Sequence, residues 1–477
     1  MVFQSIDYLI FLAALLAVYF WLPRRPQNAL IIAASYVFYG WVHPWYLILI
    51  GITTLFDWGC ALGMEASAGP VRRKRFLMLS LGVNFAILCV FKYFGFFVEN
   101  VTAMLSAIGL MPSPWIIRLA LPAGISFFTF QSASYAIDVY HRKISACRSL
   151  LDYATFVSFF PQLVAGPIER AGHMLPQYAR PRQVTLEGLR SGLVLILWGL
   201  MQKLVIADNT ALIASKVFAL GDPSFPILWG GVIAFGVQIY ADFSGYTDIA
   251  RGSARLLGVE LCANFNHPYL SQSPGEFWRR WHMSLSTWFR DYVYIPLGGS
   301  RNGAGAMRRN LIITFFLSGL WHGASWNFVI WGIYHGLLVA LWPLLTTRVS
   351  WLKDGGGLAA TAVRIGITFL LVNVGWLMFR EHSLAMLWSD LRLNPMLASA
   401  SEWRMGIALA LEALIYGLPL MVLLPLVQRW APAPANEESC RESWRWALTQ
   451  TFAALISLMA IAALRSTTGS DFIYFQF

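Results

Sequence analysis

The chain has 477 residues, of which 57% are hydrophobic and 12% charged, with a formal net charge of +11. An average soluble domain carries about 25% charged residues, so this composition excludes an ordinary soluble enzyme and predicts an all-α polytopic membrane protein. The basic excess then reads as membrane topology, with anionic lipid headgroups as its partner, rather than as a nucleic-acid surface.

Apolar runs approaching the roughly 20 residues that cross a bilayer fall first at Tyr8 to Leu22, Ala29 to Trp41, Trp45 to Leu62, Phe76 to Val98 and Ile116 to Ile137. The first run is preceded by Asp7 and followed by Arg24 and Arg25, the reverse of a cleavable signal, and is expected to stay as an anchor with the N-terminus outside. Arg72 to Arg75 and His141 to Lys143 then fall in loops on the cytoplasmic side, as the positive-inside rule requires. Tyr153 to Ala165 is too short and too proline-marked for a crossing and reads as re-entrant or interfacial.

Gly192 to Ala207 and Ile227 to Tyr240 are the next spans. Asp242 and Asp248 follow closely, at a spacing poor for a cation, and read as helix-end caps; no metal is expected. The block Pro274 to Tyr292 places Trp278, Trp281, Leu285, Trp288 and Phe289 on one helical face and Arg279, Ser286 and Arg290 on a polar stripe. That pattern predicts one amphipathic helix lying at the membrane interface, with His282 on the boundary between its faces.

The long run Leu311 to Leu345 is interrupted at Gly319, Gly323, Asn327 and Gly332, which predicts a break or a cavity. His322 lies in that interruption. An ionisable side chain in an apolar stretch is costly and marks function, whereas His335, on the other side of a continuous helix, reads as a satisfied packing residue. His43, His141, His173 and His267 read as interface or loop groups. Ile365 to Met378, Ile407 to Val427 and Trp446 to Leu464 complete the spans, the last set apart by a polar connector at Ala431 to Arg445. The organisation is a core over residues 1 to 430, the connector, and a terminal helix with its tail over 446 to 477. The cysteines, Cys60, Cys89, Cys147, Cys262 and Cys440, show neither a disulfide framework nor zinc spacing.

Three motifs carry a resemblance: Gly319-Leu-Trp-His322-Gly, the block Phe277 to Trp288 with Arg290-Asp-Tyr, and Pro161-Gln-Leu-Val-Ala-Gly166-Pro-Ile. Together the chain resembles the membrane-bound O-acyltransferases, and most of all their bacterial branch of alginate O-acetylases and teichoic acid D-alanylation acyltransferases. The resemblance implies a bundle of roughly 11 to 13 membrane helices with re-entrant segments around a central tunnel. It implies a cytoplasmic thioester donor, acetyl-CoA or the phosphopantetheine of an acyl carrier protein, and an acceptor on the far side. The family's catalytic histidine maps onto His322 and its second functional polar position onto His282. A neutral imidazole at His322 takes the acceptor hydroxyl's proton as that oxygen attacks the thioester, and a low-dielectric site keeps it neutral. His282 orients the acceptor or steadies the oxyanion. Arg279, Arg280 and Arg290 are candidates for the donor phosphates, or equally topology anchors.

The tail Asp471-Phe-Ile-Tyr474-Phe-Gln-Phe477 resembles that of the small single-helix protein encoded with the teichoic acid D-alanylation acyltransferase. That resemblance implies Tyr474 as an acyl relay, as though the small protein had been fused to the core; the alternative is an aromatic belt at the interface. An outer C-terminus puts Arg429, Arg441 and Arg445 inside, and with them Arg348, Lys353 and Arg364, so that Leu311 to Leu345 starts and ends inside and bends near His322.

The expected function is transfer of a short acyl group, acetyl, toward an exported polysaccharide across a bacterial inner membrane. The expected partners are an extracytoplasmic serine hydrolase-like transferase, polysaccharide synthesis or export proteins, and membrane lipid. A lipid or protein O-acyltransferase with a longer-chain donor, and a transporter or scaffold subunit of an export complex, are the alternatives.

Overall fold

A computed structural model describes residues 1 to 110, 122 to 353, 355 to 432 and 444 to 473. Cys440, Arg441, Tyr474, most of the polar connector and the first residues of the expected span at Ile116 lie outside the described residues. The described residues form helices and no strand, and eight of the helices are long and apolar enough to cross a membrane. The chain is a polytopic membrane protein. It divides into two compact units, one of Met1–Thr185 with Ser253–Cys262 and one of Leu186–Gly252 with Ala263–Phe477.

The first unit begins with α1 (Ile6–Tyr19), α2 (Arg24–Gly40), α3 (Tyr46–Ala66) and α4 (Pro70–Ala107). With 14 residues, α1 is roughly 21 Å long at 1.5 Å per residue, shorter than the expected span. The basic run at Arg72 to Arg75 is not a loop as expected: Pro70, whose missing N–H costs nothing in a first turn, starts α4 there. Arg73 is buried and donates to the carbonyls of Met64 (2.9 Å), Tyr140 (3.0 Å) and Val139. It thereby ties the end of α3 to the end of α5 (Ile125–Tyr140), adding a charged donor to carbonyls of their last turns. The segment expected as re-entrant or interfacial folds into α6 (Leu150–Ser158) and α7 (Phe160–Leu163), both buried. The side-chain amides of Gln131 and Gln162 both donate to the Phe156 carbonyl (2.7 and 2.6 Å). A Cβ on Gly166 would overlap Gln162 and Pro161 backbone atoms, which explains the glycine in that motif. A short helix, α8 (Ala171–Ala179), follows.

The second unit opens with α9 (Leu186–Phe218) and α10 (Phe225–Leu256), both longer than the spans expected there. Near Gly199 of α9 and Gly245 of α10 the two backbones approach so closely that a Cβ would meet the opposite carbonyl. The block expected as one interfacial helix is two short helices, α11 (Pro274–Arg280) and α12 (Met283–Phe289), with Trp278, Trp281 and His282 buried. The aromatic face is thus covered by protein: Trp281 packs on Tyr240, Phe265 and Trp376 with centroids 5.8, 5.0 and 4.9 Å away.

The run Leu311 to Leu345 is a hairpin of α13 (Gly303–His322) and α14 (Trp326–Arg348), so the expected bend falls directly after His322. Gly319 and Gly332 face each other across it, and a Cβ on Gly332 would overlap the Phe315 carbonyl oxygen. Gly332→Val is therefore expected to wedge the hairpin apart at a cost of about 1–3 kcal/mol. Thermal unfolding in detergent checks this, and an unchanged midpoint would show slack between the helices. The fold closes with α15 (Leu358–Arg380), α16 (Leu384–Asp390), α17 (Ala400–Trp430) and α18 (Trp444–Leu464). The last packs on α9, where the Trp446 indole (3.1 Å) and the Gln450 amide (3.2 Å) donate to Glu187.

Candidate active site

His322 is the last residue of α13. The helix stops because Gly323 and Ser325 adopt extended backbone (φ −163 and −149°) before α14 begins. Glycine is required at 323, since a Cβ there would run into the Phe328 ring. The Asn327 amide donates to the Glu381 carbonyl at 2.7 Å, tying the start of α14 to the end of α15. The His322 ring is boxed edge-on by Trp321, Trp331 and Phe379, with centroids at 5.0, 4.9 and 5.4 Å. It is 6% exposed.

His282 sits between α11 and α12 in the left-handed region (φ 43°). A non-glycine residue pays strain there, and the neighbourhood supplies restraints that hold it: the Met283 N–H donates to the Asn264 carbonyl (2.9 Å) and the Ser284 hydroxyl to the Asn264 side chain (2.6 Å). The His282 ring is 1% exposed, meets Phe243 edge-on at 4.7 Å and lies 6.1 Å from Trp321. One indole thus adjoins both histidines.

His335 departs from its expected place. Because the helix is broken after His322, the phase of a continuous helix no longer separates the two histidines, and Trp331 adjoins both, 4.9 Å from His322 and 5.0 Å from His335. His335 is fully packed, against Trp278 at 5.0 Å and over Gly375, where a Cβ would overlap its ring. Packing is as expected, and neither ring nitrogen hydrogen-bonds to a described residue.

Arg279 is exposed, Arg280 pairs with Glu276 at 2.6 Å, and Arg290, 59% exposed, pairs with Asp291 at 2.8 Å. A cavity of about 160 Å³ is lined instead by Arg251, His267, Trp198 and Gln428, together with Asn264 and Phe265, which border the His282 turn. His267, in the left-handed region (φ 49°), hydrogen-bonds Gln428 through Nε2 at 2.8 Å.

Asp242 and Asp248 are not helix caps: both lie inside α10. Asp248 accepts from Gln202 at 2.9 Å. Asp242 meets Lys203, a residue that sequence reasoning missed, at 3.0 Å, and Lys203 meets Asp208 at 3.0 Å. The signal was present, since a lysine inside the apolar run Gly192 to Ala207 is as costly as a histidine. The segment through Phe472 and Ile473 reaches this cluster: the Ile473 N–H donates to Asp242 at 2.7 Å, and the Phe472 ring stacks on Tyr246 at 4.5 Å and meets Phe243, the neighbour of His282, at 6.2 Å. No group of three or more His, Cys, Asp or Glu residues suited to a metal ion occurs among the described residues.

Residues 140 to 388 match the model of the membrane-bound O-acyltransferase family. Over the full length of both chains the protein is 37% identical to a probable alginate O-acetylase AlgI of Pseudomonas putida. It is 31% identical to the peptidoglycan O-acetyltransferase of Helicobacter pylori, covering 96% of this chain and 94% of that one. A teichoic acid D-alanyltransferase of Bacillus subtilis is 30% identical over 54% of this chain and 68% of its own. His282 and His322, like Lys203, Asp208 and Asp242, fall inside the matched region, and the tail falls outside it.

Proposed function

Because the chain belongs to the membrane-bound O-acyltransferase family and is an O-acyltransferase of the membrane, we propose that it carries acetyl groups from a cytoplasmic thioester toward an exported polysaccharide. The observation that carries this reading is the arrangement of His322, Trp321 and His282, toward which the C-terminal segment folds. A buried imidazole, in a unit toward whose second histidine the Phe472 segment packs, suits acyl transfer within the protein.

The chemistry follows from the residues. The His322 imidazole accepts the phenolic proton of Tyr474 as its oxygen attacks the thioester carbonyl carbon. The tetrahedral intermediate collapses with loss of the thiolate, which takes the proton back from the imidazolium; the products are an O-acetyl tyrosine and a free thiol. His282 orients the accepting oxygen or steadies the oxyanion. Arg279, Arg280 and Arg290, on accessible helix faces, meet the donor phosphates of acetyl-CoA or of a carrier protein's phosphopantetheine. An extracytoplasmic serine hydrolase-like transferase then takes the acetyl group from Tyr474 and passes it to a sugar hydroxyl. On this reading the protein sits in a bacterial inner membrane with both termini outside.

The test is thiol release and peptide mapping of the purified protein in nanodiscs with labelled acetyl-CoA, acetylated carrier protein or long-chain acyl-CoA. Turnover of an acetyl donor is expected. Exclusive use of a long-chain donor would transfer the reading to a lipid or protein acyltransferase, and inertness toward every thioester would remove the enzyme reading.

A further inference from the structure

Lys203 lies in a π-helical turn of α9, Gln202–Ala207, and is 4% exposed. A buried ammonium persists only where its charge is matched and its hydrogens are accepted, and here the partners are specific. Its Nζ lies 3.0 Å from Asp208 and 3.0 Å from Asp242, carboxylates that are themselves almost fully buried, and it donates to the Ser470 carbonyl at 2.8 Å. The same carboxylates take the donors of the tail: Asp208 accepts from the Ser470 hydroxyl at 2.6 Å and Asp242 from the Ile473 N–H at 2.7 Å. Upstream, the Asn209 amide donates to the Leu464 carbonyl (2.9 Å) and the Ser466 N–H to the Leu204 carbonyl (3.1 Å).

Charge matching explains why the cluster needs the tail. Two carboxylates face one ammonium, so the buried group carries an excess negative charge that the lysine alone does not balance. Donors from Ser470 and Ile473 stabilise that excess charge with further hydrogen bonds, and without them buried carboxylate oxygens lose partners in a low-dielectric interior. The Ile473 N–H that supplies one of them belongs to the residue next to Tyr474 in the chain.

We propose that Lys203, Asp208 and Asp242 form a latch that receives the chain's own C-terminal segment and fixes the residue preceding Tyr474, so that the acyl relay works from a stationary anchor rather than as a swinging arm. The role of the latch in transfer rests on the Tyr474 reading above. These are positioning residues; none is required to touch the donor.

The test removes two of the donors on the tail side, leaving the Ser470 N–H to Asp208 (3.3 Å) and the bundle's own ion pairs in place. Ser470→Ala with Ile473→Pro takes away the hydroxyl and, because proline has no N–H, the bond to Asp242. Lys203→Met attacks the latch from the other side. Full-length protein in nanodiscs is exposed to carboxypeptidase and followed by intact mass, in parallel with acetyl transfer to Tyr474. The expected result is faster trimming of the tail in both variants, and a fall in kcat for transfer on the order of 100-fold, the cost of a misplaced reacting group, with donor KM unchanged. A tail trimmed at the wild-type rate in the tail-side double variant overturns the latch. Faster trimming together with wild-type transfer confirms the tail receptor and overturns its role in positioning the relay. If wild-type Tyr474 never takes label while the variants are still trimmed faster, the relay reading fails and the tail receptor stands.

Discussion

His322→Ala is expected to lower acetyl transfer by a factor of about 10²–10⁴, the usual contribution of a positioned general base, while leaving the protein folded. The side chain ends α13 rather than supporting its middle, and the break that follows is set by extended backbone and by Asn327 and Glu381. Removing an imidazole boxed by Trp321, Trp331 and Phe379 leaves a small void, so a modest loss of thermal stability accompanies the loss of rate. His322→Gln fills much of that space without a usable base and is expected to be as inactive and more stable than the alanine variant. Thiol release from labelled acetyl-CoA, measured beside the melting temperature in detergent, separates the effects. A variant that melts normally and turns over at the wild-type rate would remove His322 from the chemistry.

Tyr474→Phe is expected to abolish label on the tail and to reduce acetylation of the final acceptor more than 100-fold, because the phenolic oxygen is the nucleophile of the first step. Donor KM should stay unchanged, since the substitution leaves the imidazole and the arginines intact. Slow thiol release by water, still dependent on His322, should persist. The phenolic oxygen is the only heavy atom removed, so packing offers little alternative explanation. Acceptor acetylation at the wild-type rate in this variant would make the tail an aromatic anchor, and the acetyl group would have to pass directly from thioester to acceptor.

Much of this was legible in the sequence. The break after His322 could be read from four small or polar residues in one apolar run, because glycine and asparagine disturb a helix locally wherever it lies. The histidine itself was conspicuous for the same local reason. The Trp278 to Phe289 face was read correctly as apolar and wrongly as lipid-facing: a periodic aromatic stripe is the same for a helix on a membrane and for one buried against Tyr240 and Trp376. The strained turn at His282 left no mark, because nothing in Arg280-Trp-His-Met announces φ 43°.

By itself the sequence determined the apolar helices, the hairpin at His322 and the membership that its motifs imply, all of which depend on neighbours within a few turns. Only the tertiary structure decided which distant groups share an interior. It brought Lys203 to Asp242 and Ser470, returned His335 to the Trp331 that adjoins His322, and moved Asp242 from helix cap to tail receptor. The physical reason is that a buried charge or polar group is stabilised by whichever partner the packing brings within hydrogen-bond reach, and that choice is made across the whole bundle rather than along the chain.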